Sequence, residues 1–348
     1  MDSAEILPAA LLRIKEITRE TEEARSFVLE PIGLAPEYKA GQFLTFLFTS
    51  WTGLPTRRSY SISSSPCLNE PLTITVKRVV NGEFSRKLVN KAEAGDVLET
   101  IGASGFFILP SQPDDYEEYV FFAAGSGITP VYSLIRTLLY LHPGKRVLLI
   151  YSNTSVATTI FHESLRALEV KYGPYFRIRF LYSQRSIVSE ARLNPELLED
   201  LLKDYQVSTK SLFYLCGPPA YMRMIYFKLL TLGVTAGRVR REIFLAEKII
   251  EIRKPPDLRP QKVTILAGGQ EFRIRVQYPV TILQAARLAG IAIPYSCEAG
   301  QCGTCVASCV EGEVWMAQNE VLVEEDLRMG RVLTCTGFPV GGPAVLKL

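Results

Sequence analysis

Several features that would place this chain in a common class are scarce or missing. Its 348 residues include only two histidines and no hydrophobic run long enough to cross a membrane. The longest uncharged stretch, residues 119–135, is shorter than a typical transmembrane span and contains two glycines and a proline. The formal net charge is only +3, and lysine and arginine are not gathered into blocks. We therefore expect neither a membrane anchor nor a nucleic-acid partner.

The N-terminus also lacks the pattern of a secretory signal. It carries acidic residues where such a signal carries basic ones, and Pro8 interrupts its short apolar run. Seven cysteines are present, and five of them fall in the last 52 residues. An odd, clustered set in a chain without a signal favours metal ligation in a reducing compartment over a disulfide framework. We expect a cytoplasmic protein.

Three regions of different texture follow each other, so the length is best explained by several domains. Residues 10–112 hold short strand-like runs separated by Gly, Pro and Asn, which is typical of an antiparallel β-barrel. In residues 115–247, strand-like and helical runs alternate four times, which predicts an α/β domain with a parallel sheet. A charged segment with three prolines then leads to a third region. The predicted boundaries are 1–113, 114–247, a linker at 248–261, and 262–348.

Four cysteines lie within fourteen positions, in the stretch SCEAGQCGTCVASC at residues 296–309. Cys297, Cys302 and Cys305 have C-x4-C-x2-C spacing, and Cys335 lies further along the chain. This is the plant-type pattern of a two-iron two-sulfur cluster with a remote fourth ligand. Cys309 follows in a strand-like run, and four strand residues advance about 13 Å. That distance is too long for Cys309 to share a compact cluster with Cys305.

Other metal sites fit these cysteines less well. A zinc ribbon requires two C-x2-C pairs, of which one is present, and a Rieske centre requires two histidines. The two histidines of this chain, His142 and His162, are in another region. A four-iron bacterial motif has a different first spacing and a following proline. Structural zinc remains the alternative to a two-iron cluster.

A second motif, RRSYSISSSP, contains Arg58, Tyr60 and Ser61 in the pattern R-x-Y-S. A guanidinium can pair with flavin phosphates, an aromatic ring can pack against the flavin, and a hydroxyl can bond near its N5 atom. A solvated strand with alternating polar residues is the alternative. In the later segment VKRVVNGEFSRKL, Gly82 allows a tight turn and Ser85 opens a helix whose N-terminus can face a phosphate.

A third motif, FFAAGSGITP, stands at a predicted strand-to-helix junction. Its residues are Gly125, Ser126, Gly127, Thr129 and Pro130. Glycines there let a dinucleotide's pyrophosphate approach the backbone, and the positive helix terminus attracts it. For a glycine loop alone, a tight structural turn is the alternative.

These motifs, in this order, resemble the phenylacetyl-CoA oxygenase reductase-like flavoproteins of the ferredoxin-NADP reductase superfamily. The resemblance covers nearly the whole chain and implies a β-grasp plant-type ferredoxin fold for the third domain. It implies a reductase that passes electrons from NAD(P)H through a flavin and a 2Fe-2S cluster to a separate acceptor. By resemblance, the acceptor is the oxygenase or hydroxylase component of a multicomponent system. Most such relatives carry FAD and some carry FMN, so FAD is expected.

The resemblance also implies roles for single residues. It places at the flavin the side chains or backbone of Arg58, Tyr60, Ser61, Ile62, Ser63, Val76, Lys77, Gly82 and Ser85. It places at the coenzyme the glycine loop and a C-G-P segment with Cys216 and Gly217. Glu242 and Phe244 resemble the E-x-F ending of the nucleotide domain, with a core position as the alternative for Phe244. Ser61, Cys216 and Glu242 are the residues expected at the reacting atoms.

The coenzyme preference rests on two short segments. Residues 152–154, Ser-Asn-Thr, offer no carboxylate for a ribose diol, which favours NADPH. Ser183 and Arg185 can hold a 2'-phosphate, as a serine-arginine pair does in NADPH-using relatives. The relatives often have arginine at the positions of Thr154 and Gln184, where this chain differs. NADPH is the expected coenzyme and NADH the alternative.

The cluster-bearing half of the third domain, residues 296–330, has seven acidic residues and one basic residue, Arg328. Such a surface can steer a basic partner, and a solvated acidic surface is the alternative. Two other functions are consistent with the sequence. One is a stand-alone quinone reductase without a protein partner, and the other is a zinc-stabilised nucleotide-binding protein without redox activity.

Overall fold

The computed structural model describes residues 10–51, 53–184, 191–208, 210–244 and 253–348. These residues belong to two compact units. The first is formed by Ala10–Phe244, and the described part of the second is residues 253–348. The first unit holds the two N-terminal regions predicted from the sequence, and the second holds the cysteine-rich region.

The first part of the first unit is an antiparallel sheet of six strands with one helix. The strands are β1 (Ala10–Arg19), β2 (Ala24–Ile32), β3 (Phe43–Thr49), β4 (Pro55–Ser61), β5 (Thr73–Lys77) and β6 (Val97–Ser104), and helix α1 is Glu83–Lys91. Their hydrogen-bonded order is β4-β3-β6-β1-β2-β5. A bridge between Ile62 and Ile74 joins the two edges, so the sheet closes into the predicted barrel.

Alternation of side chains along the strands builds the barrel core. In β1, Leu12 and Ile14 are fully buried, while Arg13 and Lys15 between and beside them are exposed. The same core includes Ile62, which immediately follows β4. Residues next to these core positions therefore face away from the barrel interior.

The second part of the first unit is a parallel sheet with helices on both faces. Its strands are β7 (Glu118–Ala124), β8 (Arg146–Asn153), β9 (Phe176–Tyr182), β10 (Ser211–Cys216) and β11 (Val239–Glu242). Its helices are α2 (Ile128–Leu141), α3 (His162–Tyr172), α4 (Pro195–Asp204) and α5 (Pro219–Thr231). The strand order is β11-β10-β7-β8-β9. Phe121 of the central strand packs in the core under α2, and its neighbour Val120 packs in the core under α4 and α5.

The barrel and the parallel sheet share a continuous core within this unit. Phe107 of the barrel packs edge-on against Tyr214 of β10, with ring centroids 5.2 Å apart. The Tyr214 hydroxyl donates a hydrogen bond to the carbonyl oxygen of Ile108 at 2.8 Å. The loop at residues 63–70 also packs on α2, where the Ser133 hydroxyl donates to the carbonyl oxygen of Ser64.

The second unit is a mixed five-stranded sheet with a helix packed on β13 and β16. Its strands are β12 (Gln261–Ala267), β13 (Gln270–Val276), β14 (Val306–Met316), β15 (Arg331–Leu333) and β16 (Gly337–Lys347), and its helices are α6 (Ile282–Leu288) and α7 (Glu324–Arg328). Strands β12 and β16 run parallel, and the other pairs are antiparallel. This is the β-grasp arrangement that the sequence resemblance implied. The predicted capping box of α6 is present, because Thr281 and Gln284 bond each other's backbone N-H groups.

One helix start differs from its prediction. Helix α1 begins at Glu83 with Gly82 as its N-cap, two residues before Ser85. Gly82 has φ −86°, so its role is close approach and not a left-handed turn, since a side chain there would collide with the Ser85 hydroxyl. A search of the described residues finds no helix with the length and apolar content needed to cross a membrane.

Candidate functional site

The four predicted cluster ligands come together in the second unit. The loop before β14 carries Cys297, Cys302 and Cys305, and the turn after β15 carries Cys335. Cys297 contacts Cys302, and Cys305 contacts Cys335, so the thiols form two pairs. No group of three or more Cys, His, Asp or Glu side chains in the described ranges is arranged to hold a metal ion. Two thiol pairs are what a two-iron cluster needs, since its two irons share four cysteines.

The loop geometry fits thiolate ligands. The backbone N-H of Ala299 donates to the Cys297 sulfur at 3.4 Å. The bond from the Cys302 thiol lowers the pKa of Cys297 most, and backbone N-H groups lower it further, while burial opposes them. Gly300 has φ +70°, and a side chain there would meet the carbonyl oxygen of Gln318. Backbone donors aimed at sulfur stabilise the deprotonated ligands that an iron-sulfur cluster requires.

Cys309 is placed apart from these four residues. It lies on β14, and its thiol is directed at the carbonyl oxygens of Glu311 and Gly312, at 3.4 and 3.6 Å. This agrees with the argument from strand length that Cys309 is too far away to be a ligand.

The acidic surface near the cysteines is smaller than the sequence count suggested. Asp326 is buried, accepts a bond from the Arg331 guanidinium at 2.5 Å and caps α7 through the N-H of Val323. Glu298 pairs with Arg287 at 3.1 Å. Both basic partners lie outside the window 296–330, which is why counting charges within that window missed them.

The predicted flavin segment follows strand β4. Arg58 is exposed, Tyr60 is half-buried and Ser61 is buried. Ile62 and Val76 have their side chains in the barrel core, so only their backbone groups could reach a flavin. Burial raises the pKa of the Tyr60 phenol, which keeps it protonated as a hydrogen-bond donor.

Positive charge and a helix start meet at one end of this segment. The Arg58 guanidinium lies 5.4 Å from the centre of the Phe84 ring, on the first turn of α1. The Ser85 hydroxyl accepts from the N-H of Val79 at 3.1 Å and donates to the carbonyl of Gly82 at 3.2 Å, so it holds the loop before the helix. A guanidinium beside a helix N-terminus is an arrangement that attracts a phosphate.

The predicted nucleotide loop connects β7 to α2. Gly125 has φ +54°, a left-handed conformation that favours glycine. Its carbonyl accepts a hydrogen bond from the Tyr151 hydroxyl at 3.0 Å. Gly127 packs so closely on the carbonyl of Cys216 that any side chain would overlap it. Thr129 is buried and its hydroxyl donates to the carbonyl of Ser126 at 2.9 Å, which shapes the turn.

The same loop lies beside the flavin segment. The Lys77 ammonium, at the end of β5, is next to Gly125 and 3.8 Å from the Glu23 carboxylate. Pro130, in the first turn of α2, and Gly217, whose Cα packs on Ala124, complete the same edge of the sheet. The structure thus brings the predicted flavin and nucleotide segments to one place.

Cys216 and Glu242 end neighbouring strands and are paired in register. Both are buried, with exposed fractions of 0% and 4%. Burial raises the pKa of the Cys216 thiol, and the nearby Glu242 carboxylate raises it further. Cys216 is therefore a neutral thiol. Phe244 is 46% exposed, which excludes the core position that was its alternative.

The segments that bear on coenzyme preference are partly described. The N-H of Ser183 donates to the carbonyl of Asn153 at 2.9 Å, so the two predicted contact points are adjacent. The Asn153 side-chain Nδ2 is buried and has no acceptor among the described residues. Arg185 lies outside the described residues.

Three domain families match this chain in the predicted order. The oxidoreductase FAD-binding domain matches residues 9–108, the oxidoreductase NAD-binding domain 121–226, and the 2Fe-2S iron-sulfur cluster binding domain 265–340. The 3-ketosteroid-9-alpha-monooxygenase ferredoxin reductase component of Rhodococcus rhodochrous is 30% identical over 344 residues, 95% of each chain. The chain belongs to the oxygenase reductases that combine these three domains.

Two further relatives of this oxygenase reductase agree. One of the subunits that make up the 1,2-phenylacetyl-CoA epoxidase of Escherichia coli (strain K12) is 30% identical over 347 residues, 96% of each chain. The structure of a phthalate dioxygenase reductase shares the fold over 98% of each chain, with a TM-score of 0.59 and 24% identity. The sequence resemblance is confirmed, and the cofactors are FAD, a pyridine nucleotide and a 2Fe-2S cluster.

Proposed function

We propose that this oxygenase reductase oxidises NAD(P)H and passes the electrons through FAD and the 2Fe-2S cluster to the oxygenase component of a multicomponent system. The observation that carries the proposal is the paired arrangement of Cys297, Cys302, Cys305 and Cys335 on the same chain as adjoining flavin and nucleotide segments. A stand-alone quinone reductase needs no cluster outlet. A zinc-binding protein without redox activity needs no flavin segment.

We assign the flavin contacts as follows. Arg58 and the N-terminus of α1 hold the FAD phosphates, because both carry positive charge at the same point. The Tyr60 ring packs against the flavin, and the Ser61 hydroxyl faces its reacting edge. Ile62, Ser63, Val76, Gly82 and Ser85 shape the same cavity through their backbone or their loop contacts.

We assign the coenzyme contacts to the loop between β7 and α2 and to the strand ends beside it. Residues 125–130 take the pyrophosphate, with Lys77 supplying a positive charge next to Gly125. Cys216, Gly217 and Glu242 flank the nicotinamide, and exposed Phe244 covers it. When bound, FAD accepts the two hydride electrons of NAD(P)H together and releases them singly. The chain therefore contributes mainly positioning.

We further propose that the cluster is held by the four paired cysteines and that Cys309 is not a ligand. The domain boundaries are proposed at 1–113, 114–247 and 262–348, with a linker at 248–261. Asp257, in that linker, accepts hydrogen bonds from Arg259 and from the N-H of Gly341, so its second half is fastened to the ferredoxin domain. Cluster ligation by reduced thiols supports a cytoplasmic site of action.

We propose NADPH as the preferred coenzyme. Residues 152–154 provide no carboxylate to accept bonds from a ribose diol. Ser183 and the buried Nδ2 of Asn153 supply donors at the adjacent positions where a 2'-phosphate needs them. NADH is the alternative, and a comparison of flavin reduction rates with the two coenzymes at equal concentration decides between them.

The function is tested with cytochrome c as a one-electron protein acceptor and a soluble quinone as a competing acceptor. Wild-type protein is expected to reduce cytochrome c with NADPH, and Cys335→Ala is expected to lose most of that activity while keeping NADPH-dependent quinone reduction. Cys309→Ala serves as the matched control. If Cys335→Ala reduced cytochrome c as fast as wild type, the cluster would not be the outlet for electrons.

A further inference from the structure

A row of buried hydroxyl groups runs across the outer face of the flavin barrel to a carboxylate. The Thr75 hydroxyl donates to the Ser63 hydroxyl at 2.9 Å, and the Ser26 and Thr75 hydroxyls are 2.8 Å apart. The Ser26 hydroxyl donates to the Glu20 carboxylate at 2.6 Å. Ser63, Thr75 and Ser26 are only 4%, 4% and 6% exposed, whereas Glu20 is half-buried. The row therefore connects a dry interior position to the edge of the solvent.

The inner end of this row lies on the flavin side of the barrel. Ser61 and Ser63 flank Ile62, whose side chain fills the barrel core, so both hydroxyls face the opposite way. Ser26 and Thr75 are cross-strand partners on β2 and β5. Their neighbours on those strands also point into the core, which leaves the hydroxyls on the same outer face as Ser61.

Helix α2 covers this part of the barrel. The Arg136 guanidinium donates to the carbonyl of Ser63 at 3.4 Å, and the Ser133 hydroxyl donates to the carbonyl of Ser64 at 2.5 Å. Because the cover excludes water, a proton leaving the flavin side needs a path made by the protein's own polar groups.

The chemistry of the proposed function produces such a proton. The balanced reaction is NAD(P)H plus two oxidised clusters giving NAD(P)+, two reduced clusters and one H+. The C-H bond of the nicotinamide breaks as the hydride leaves, and both of its electrons go to the cluster in two successive steps. The cluster takes no proton, so one proton per coenzyme must leave the flavin site for solvent.

We propose that Ser63, Thr75, Ser26 and Glu20 form the exit path for this proton, an inference that rests on the proposed function. Each hydroxyl accepts one proton and gives up its own, so the row changes only in the direction of its O-H bonds. Glu20 receives the proton at its carboxylate and releases it to water. The first three residues are relay residues, and Glu20 is the terminal acceptor.

The environment of Glu20 supports this role. Burial raises its pKa, and the hydrogen bond from Ser26 opposes that rise. A raised pKa brings the carboxylate closer to neutral pH, where it can take up and lose a proton readily. The competing explanation is a static network that only satisfies buried hydroxyl groups. A static network would affect stability and FAD binding but not proton release.

The test uses Thr75→Val, which breaks the row with little change in shape, and Glu20→Gln, which keeps an acceptor oxygen but cannot take the proton. Thr45→Val is the control, since Thr45 and Ser59 form a separate hydroxyl pair at 2.9 Å in the same barrel. FAD and iron contents are measured first. Proton release is then followed with a pH indicator in weakly buffered solution, during anaerobic oxidation of NADPH with excess cytochrome c, in H2O and D2O.

Both row variants are expected to slow proton release and cluster reduction about tenfold or more, with an altered solvent isotope effect. FAD content and the rate of flavin reduction by NADPH are expected to stay at wild-type values, as is every measurement on Thr45→Val. Wild-type proton release in both row variants would overturn the relay while leaving the proposed function intact. Loss of FAD together with every rate would make the row structural, which also overturns it. Failure of the wild type to reduce its cluster would overturn the proposed function itself.

Discussion

Replacing Glu70 with alanine is expected to weaken the contact between the flavin loop and helix α2. The Glu70 carboxylate accepts a bond from Nη1 of Arg136 at 2.9 Å, a second from Nη2, and one from the backbone N-H of Ser65. The two charged side chains are only 25% and 16% exposed, respectively. Removing one partner of a fully buried pair costs about 3–5 kcal/mol, and an exposed pair is worth about 1 kcal/mol or less. For this exposure we expect a loss of about 2–3 kcal/mol.

The measurement is urea unfolding of the holoprotein, followed by far-UV circular dichroism and flavin fluorescence. A double-mutant cycle with Arg136→Met separates the ion pair from the packing of the Arg136 stem, which lies 4.5 Å from the Tyr132 ring centre. Glu30→Ala is the control, because Glu30 forms an exposed pair with Lys15 at 3.8 Å. If Glu70→Ala lowered the free energy of unfolding no more than Glu30→Ala, or the cycle gave no coupling, the clamp would not be significant.

Three further outcomes are expected. Cys335→Ala should abolish the visible spectrum of the cluster and Cys309→Ala should leave it intact, as absorbance spectra of the purified variants will show; the opposite pair of results would overturn the ligand assignment. Gly127→Ala should weaken coenzyme binding tenfold or more in a titration of flavin reduction, because its side chain overlaps the carbonyl of Cys216; unchanged affinity would argue against this loop. Asn153→Asp should shift the ratio of flavin reduction rates toward NADH, since it adds a carboxylate for the ribose diol, and an unchanged ratio would remove Asn153 from the specificity site.

The architecture could be predicted from the sequence because local patterns determine it. The near-continuous apolar run of β7 indicated a strand covered on both faces, and Thr281 with Gln284 indicated the start of α6. The spacing of the cysteines separated three ligands from Cys309 because the reach of a strand is a fixed length. These signals are all contained in short windows of sequence.

Features that depend on distant pairing could not be predicted in this way. Glu70 and Arg136 are 66 positions apart, and Ser26 and Thr75 are 49 apart. The register of β2 against β5 creates the hydroxyl row, and no single window contains that register. Charge counting failed for the same reason, because Asp326 is neutralised by Arg331, just beyond the window that was counted.

The central claim is that electrons from NAD(P)H reach a cluster held by the four paired cysteines after passing through FAD. The most direct test is a stepwise anaerobic titration with NADPH, followed by absorbance, on wild-type protein and on Cys335→Ala. Wild type is expected to lose both flavin and cluster absorbance, and the variant is expected to lose flavin absorbance alone. Bleaching of the flavin with no change in the cluster of wild-type protein, even with excess NADPH, would contradict the account.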